Sequence, residues 1–146
     1  NLIQFLKDLE VRSNNFIKLI KVFLFLSLFL NYELLAKSDL SSIFIKSCYD
    51  GDTCTSVDGE KIRLACIDTP ELKGKNANKI RAEEARDFLN QLVANKKVSI
   101  KRITKDRYGR TVAEIYKDGT NIQELIVKKG YGKIYKRYSY QCEWAK

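Results

Sequence analysis

A single helix-like stretch interrupts a run of strand-like segments, and that order leaves few folds open. Between Ala77 and Asn95, Ala85, Phe88, Leu89, Leu92 and Val93 recur at i, i+3, i+4, i+7 and i+8, which makes one apolar face on a helix. Before it, Ile43, Phe44 and Ile45 open a β-prone region. The turn-rich Asp50-Gly51-Asp52 comes next, then Thr53 to Val57, the two-residue hairpin signal Asp58-Gly59, and a return from Lys61 to Ile67. After it, Val98 to Ile103 and Thr111 to Tyr116 read as two more strands joined by Asp106 to Arg110. Asn121 to Lys129 reads as a second helix. Asn121 is placed to cap it, Glu124 follows three residues later, and Gly130 stands where a left-handed residue ends a helix. Three strands, a helix, two strands and a helix is the order of a five-stranded OB-fold β-barrel, an α+β domain over residues 41–146. Such a barrel leaves a face and loops free for an oligonucleotide.

Residues 1–40 read differently. Val22 to Leu30 is an apolar run of nine, VFLFLSLFL, with Lys18 and Lys21 before it and the small residue Ala36 soon after. That layout predicts a signal peptide, with cleavage after Ala36 and a secreted or periplasmic product. The run is short of the ~20 residues a membrane span needs, so no stable span is expected after cleavage. An uncleaved membrane anchor, or an amphipathic helix packed on the domain, are the alternatives. Residues 1–15 match nothing in this layout. Cys48, Cys54, Cys66 and Cys142 follow the run. An even number in an exported chain predicts one or two disulfides, with three full pairings open, or else buried thiols. The spacing does not suit zinc, since there is no CxxC pair and no His.

The formal net charge is +9, and residues 41–146 carry 22 basic against 14 acidic side chains, so the excess belongs to the domain. A basic domain suits a polyanionic partner, nucleic acid being the commonest, though solvated lysines give the same count. The absence of His removes every Ser-His and Cys-His mechanism. Hydrolysis would have to use carboxylates, Arg, Lys, Tyr or a hard metal ion.

Three clusters concentrate such residues: Asp50-Gly51-Asp52-Thr53, the stretch from Arg63 through Asp68-Thr69-Pro70 to Glu71, and Asp106-Arg107-Tyr108-Gly109-Arg110. Singly, each reads as a turn or loop. Together, DGDT at 50–53, IRLACIDTPE at 62–71 and DRYGR at 106–110 resemble the staphylococcal nuclease family in content, order and spacing. Ala113 to Tyr135 is similar to that family's continuation into its second helix. The likeness covers about residues 42–140.

The resemblance implies a nuclease for DNA or RNA that acts as a monomer, depends on Ca2+, and leaves 3′-phosphate and 5′-hydroxyl ends. Asp52 and Asp68, with the Thr69 carbonyl, would hold the ion, and Asp50 would stand behind them. Glu71 would be the general base. Arg63 and Arg110 would grip the scissile phosphate, and Arg107, Tyr108 and Tyr138 would contact substrate. Lys136 stands where the family has another aromatic. The family's C-terminal helix lies beyond Tyr138, so residues 140–146 are expected to be only its approach or first turn, and the domain to be short of that helix. The alternative is a catalytically weak module of the same fold that binds single-stranded nucleic acid. A small OB-fold protein that coats single strands is a third reading, which the carboxylates clustered beside its basic residues disfavour.

Overall fold

A computed structural model describes residues 2–3, 17–27, 40–75 and 77–146. The chain divides into two units, 1–38 and 39–146. In the first, residues 17–27 are helical. This helix takes in the start of the expected apolar run, while Leu28 to Leu30 and Ala36 lie outside the described residues. No helix among the described residues is long and apolar enough to cross a membrane.

The second unit holds strands β1 (Ser41–Cys48), β2 (Thr53–Ser56), β3 (Lys61–Leu64) and β4 (Ile67–Asp68), then helix α1 (Lys79–Val93). Strands β5 (Lys96–Lys105), β6 (Thr111–Lys117) and β7 (Thr120–Asn121), helix α2 (Ile122–Lys128) and strand β8 (Lys133–Ile134) complete it. The main sheet runs β3-β2-β1-β5-β6-β7. A parallel β3–β6 ladder, with Arg63 opposite Val112, closes its first five strands into the expected barrel. Closure removes the unpaired edges an open sheet would expose.

Each element follows from local chemistry. Asn78 caps α1, its side chain accepting from Arg81 N, and Ala82, Ala85, Leu89 and Val93 bury the predicted face. Phe88 and Leu92 pack at its margin. Asn121 caps α2 by accepting from Glu124 N, and Gly130 ends it at φ +79°, both as the sequence predicts. Alternation along β1 sends Ile43 and Ile45 inward, and after the bulge between Ile45 and Ser47 Cys48 also faces inward; these meet Ile62, Leu64, Val98, Ile100 and Ile115 in one core.

Two features were not expected from the sequence. β4 and β8 form a separate two-stranded ladder that sets Asp68 opposite Lys133. In place of a helical turn, residues 136–141 and 143–145 form 3-10 turns. Cys142 and Ala145 from this tail are buried, and Trp144 packs with them against Ala65 and Cys66. Two disulfides, Cys48–Cys54 and Cys66–Cys142, select one pairing of the three.

Candidate active site

The turn between β1 and β2 brings a carboxylate into the protein. The hydrogen bond from Tyr49 N to Thr53 O, 2.8 Å, closes this turn, and Asp52 N donates to Asp50 Oδ1 at 3.0 Å. Gly51 is there for lack of room. A Cβ on it would lie 2.8 Å from Ala85 Cβ and 2.9 Å from both Thr69 Cβ and Oγ1. That close approach drives Asp52 against Thr69, which donates to Asp52 Oδ2 from N (3.3 Å) and Oγ1 (3.0 Å).

Arg63, on β3, places Nη2 3.2 Å from Asp52 Oδ2. Its fork also donates to two backbone carbonyls, Leu64 O at 2.6 Å and Ile67 O at 2.9 Å. Thr53 extends the array in the other direction. It donates to Asp52 Oδ1 at 3.2 Å and accepts from Arg110 Nη1 at 3.2 Å. Arg110 in turn is held by Asp106, whose Oδ2 accepts from Nε at 2.7 Å. The other Asp106 oxygen accepts from the backbone N of Tyr108 (2.9 Å) and Arg110 (3.0 Å), shaping the turn before β6. Asp52, Thr69, Arg63, Thr53, Arg110 and Asp106 thus form one connected polar cluster.

Burial pushes the Asp52 carboxyl up to about 6. Arg63 lowers it, Asp50 raises it further, and hydrogen bonds from Thr69 and Thr53 offset part of the cost. At this carboxyl burial outweighs the neighbouring arginine. For Asp106, burial acts upward, but hydrogen bonds from Arg110 and Tyr108 prevail and hold its carboxyl below the ordinary range.

Asp68, Glu71, Arg107, Tyr108 and Tyr138, also predicted, send no side-chain hydrogen bond or ion pair into this cluster among the described residues. Asp68 adjoins Thr69 and pairs with the exposed Lys133 at 3.4 Å. Glu71 is exposed and makes no hydrogen bond or ion pair among the described residues. Arg107 and Tyr108 project from the Asp106–Arg110 turn, with the Arg107 and Arg110 guanidinium carbons 4.7 and 5.5 Å from the Tyr108 ring centroid. Tyr138 meets Tyr135 edge-on at 5.2 Å, and its carbonyl oxygen lies 3.4 Å from Cys66 Sγ.

Sequence reasoning passed over Thr53, Asp106, Lys133 and Gly51 as functional residues. Gly51, Thr53 and Asp106 lay inside its motifs, and Asp106 stands four residues before the arginine it orients. No local signal marks Lys133, which only the β4–β8 pairing brings to Asp68.

The oxygen donors at hand suit a hard cation better than zinc or copper. Among the described residues no three His, Cys, Asp or Glu side chains come together as a metal-binding group. A site here would rest on two carboxylates and a backbone carbonyl, with water or substrate oxygens completing it.

The profile of the staphylococcal nuclease homologue family matches residues 61–146. A protein named as an uncharacterized endonuclease of Escherichia coli O157:H7 is 35% identical over 94 residues, 62% of this chain and 58% of the relative. One of the same name from Haemophilus influenzae is 38% identical over 95 residues, 62% of this chain and 51% of the relative. A staphylococcal-like nuclease of Arabidopsis thaliana is 40% identical over 86 residues, 59% of this chain and 25% of the relative. The chain thus spans about half the length of the bacterial relatives and a quarter of the plant one. With the closed barrel, the polar cluster and the match over residues 61–146 in agreement, the chain belongs to the staphylococcal nuclease homologue family.

Proposed function

We propose that this protein is a Ca2+-dependent nuclease that hydrolyses phosphodiester bonds in DNA or RNA, leaving 3′-phosphate and 5′-hydroxyl ends. The observation that carries this reading is the hydrogen-bonded array joining a buried carboxylate, Asp52, to two arginines, Arg63 directly and Arg110 through Thr53. A protein that only coated nucleic acid would gain nothing from a buried acid beside its phosphate-binding groups.

Asp52, Asp68 and the Thr69 carbonyl would hold the cation, and Asp50 braces the Asp52 backbone from behind. When bound, calcium would supply positive charge to a phosphate oxygen and acidify a nearby water. Arg63 uses its fork on Asp52 and two carbonyls, which fixes its plane. Arg110 spends two of its five N–H groups, on Asp106 and Thr53, and keeps three for a phosphate and the departing 5′ oxygen. Held in advance, such donors stabilise charge that grows in the transition state, typically by ~3–4 kcal/mol each. Glu71, exposed and without a hydrogen-bond or ion-pair partner among the described residues, would take the proton of the attacking water. Arg107, Tyr108 and Tyr138 would contact the substrate strand, the tyrosines by stacking that tolerates any base.

The two disulfides support export to an oxidising compartment, secreted or periplasmic, and the apolar run from Val22 supports a signal peptide or a membrane anchor as the route. The protein is read as acting as a monomer.

Single-stranded DNA incubated with the protein and Ca2+ should be cut to 3′-phosphate ends, and chelator should stop the reaction. Glu71→Gln and Arg110→Lys should each lower turnover by ~10²–10³ while leaving substrate affinity nearly unchanged. Undiminished cutting in excess chelator would refute the metal assignment. Either variant retaining half of the turnover would refute that residue's role. Binding without cutting by the wild type would favour the module reading instead.

A further inference from the structure

Each segment that carries one of the two proposed carboxylate ligands has a cysteine two residues away: Cys54 after Asp52, and Cys66 before Asp68. Both are oxidised, but their partners differ. Cys66 reaches the distant tail at a sequence separation of 76, whereas Cys48–Cys54 spans only 6 residues and closes a small ring around Tyr49 to Thr53.

Cys48 and Cys54 face each other in the β1–β2 ladder with Cα atoms 3.8 Å apart, so the crosslink sits at the root of the turn. Helix α1 grips the same root. Asn90 Oδ1 accepts from Cys48 N at 2.8 Å, and Asn90 Nδ2 donates to Cys48 O at 3.0 Å. A third bond, from Asn90 Nδ2 to Arg86 O, fixes the amide on the helix. Inside the ring, Asp50 and Asp52 stand two residues apart with like charge, one half-buried and one buried. Their repulsion favours an opened turn, and Gly51 itself imposes little conformational restriction.

A short crosslink adds less to global stability than a long one, because the entropy it removes from the unfolded chain grows with the logarithm of the loop. Its main effect is therefore local. We propose that the Cys48–Cys54 disulfide and Asn90 together are positioning elements that hold the Asp50-Gly51-Asp52 turn in the conformation that binds the cation. The inference rests on the reading of Asp52 as a cation ligand. Reducing the ring would cost affinity for the ion by enlarging the set of turn conformations that must be reordered on binding.

The test is calorimetric titration of the purified full chain with CaCl2 alone, without nucleic acid. Four proteins are compared: wild type, Asp52→Asn, the double variant Cys48→Ala/Cys54→Ala, and Asn90→Ala. Circular dichroism melts confirm that each is folded at the assay temperature. Asp52→Asn should abolish binding. The double variant should bind about tenfold more weakly, as is common when groups supporting a metal ligand are removed, and Asn90→Ala should also bind more weakly. If wild type binds and Asp52→Asn does not, but the double variant and Asn90→Ala bind within twofold of wild type, the positioning inference fails and the cation site stands. If wild type takes up no calcium, or Asp52→Asn binds as wild type does, the cation reading fails and the inference with it. Should the double variant not fold, Asn90→Ala, which keeps the disulfide, decides: unchanged affinity overturns the proposal.

Discussion

Replacing Cys66 and Cys142 together by Ala tests how the tail is held. The bridge joins residues 76 apart, and loop-closure entropy for a ring of that size corresponds to about 4.5 kcal/mol at 25 °C. The Cys48–Cys54 bridge, with a separation of 6, corresponds to only about 2 kcal/mol on the same relation. Cys142 is fully buried and lies in a small cluster with Ala65, Ala145 and Trp144, so lost packing adds roughly 1 kcal/mol. Set against a total of about 5–15 kcal/mol, the double variant should lose a third or more of its stability. Urea unfolding followed by circular dichroism gives the global change. Trp144 is the only tryptophan and its indole N donates to the buried Glu114 at 2.9 Å, so its fluorescence reports the tail separately. The midpoint should fall, and the m-value should rise because the unfolded chain is less constrained. A loss below about 1 kcal/mol, or one no larger than that of the Cys48/Cys54 double variant, would refute the reasoning.

Three further substitutions probe the site and its frame. Gly51→Ala should destabilise the fold by about 1–3 kcal/mol, since its Cβ would lie 2.8–2.9 Å from Ala85 and Thr69; an unchanged melting temperature would show that the turn yields freely. Thr53→Val should lower turnover with little change in folding, because it removes the hydroxyl linking Asp52 to Arg110; steady-state kinetics at wild-type rate would mean the link is idle. Glu60, held at about 2 chiefly by the Arg102 hydrogen bond and also by Thr111, contributes stability that is fully present above pH 4.5 and is lost as pH falls through about 2. The Arg102 side chain is 42% exposed and solvent screens the pair, so ~1–2 kcal/mol is expected. Glu60→Gln should remove that amount at pH 7 and flatten the acid limb of the stability curve between pH 4.5 and 2; an unchanged limb would refute the assignment.

What could be read from the sequence was whatever repeats or has fixed local chemistry. The apolar spacing along α1, the capping of α2 by Asn121 and the left-handed Gly130 all rest on neighbours within a few residues. Strand registers depend on bulges, between Ile45 and Ser47 in β1 and between Arg102 and Thr104 in β5, which a period-two pattern does not announce. β4 and β8 have two residues each, too few to show a period, so Lys133 opposite Asp68 had no signal. The disulfide pairing was open because spacing alone does not choose among three alternatives. At the candidate site, Asp52, Arg63, Thr69 and Arg110 were named in advance, yet how they connect was not. Thr53 read as a strand residue, and its bridging hydroxyl follows only from the fold.

The array also shows why closing the barrel and assembling the site are one event. Arg63 and Arg110 are 47 residues apart in sequence, on segments with no local reason to meet. The parallel β3–β6 ladder pairs Ile62 with Thr111 and Arg63 with Val112, which sets the root of the Arg110 side chain beside β3. On the other flank, Leu64 N donates to Asp52 O at 2.8 Å, so β3 also carries the Asp52 turn. The seam that closes the sheet therefore fixes Arg63 against the buried carboxylate and brings Arg110 to it through Thr53. Ala65 N continues the seam by donating to Ala113 O at 2.9 Å. That seam leads directly into Cys66, and through it to Asp68 and the tail. A perturbation that loosened β3 from β6 would separate the arginines before it unfolded the domain.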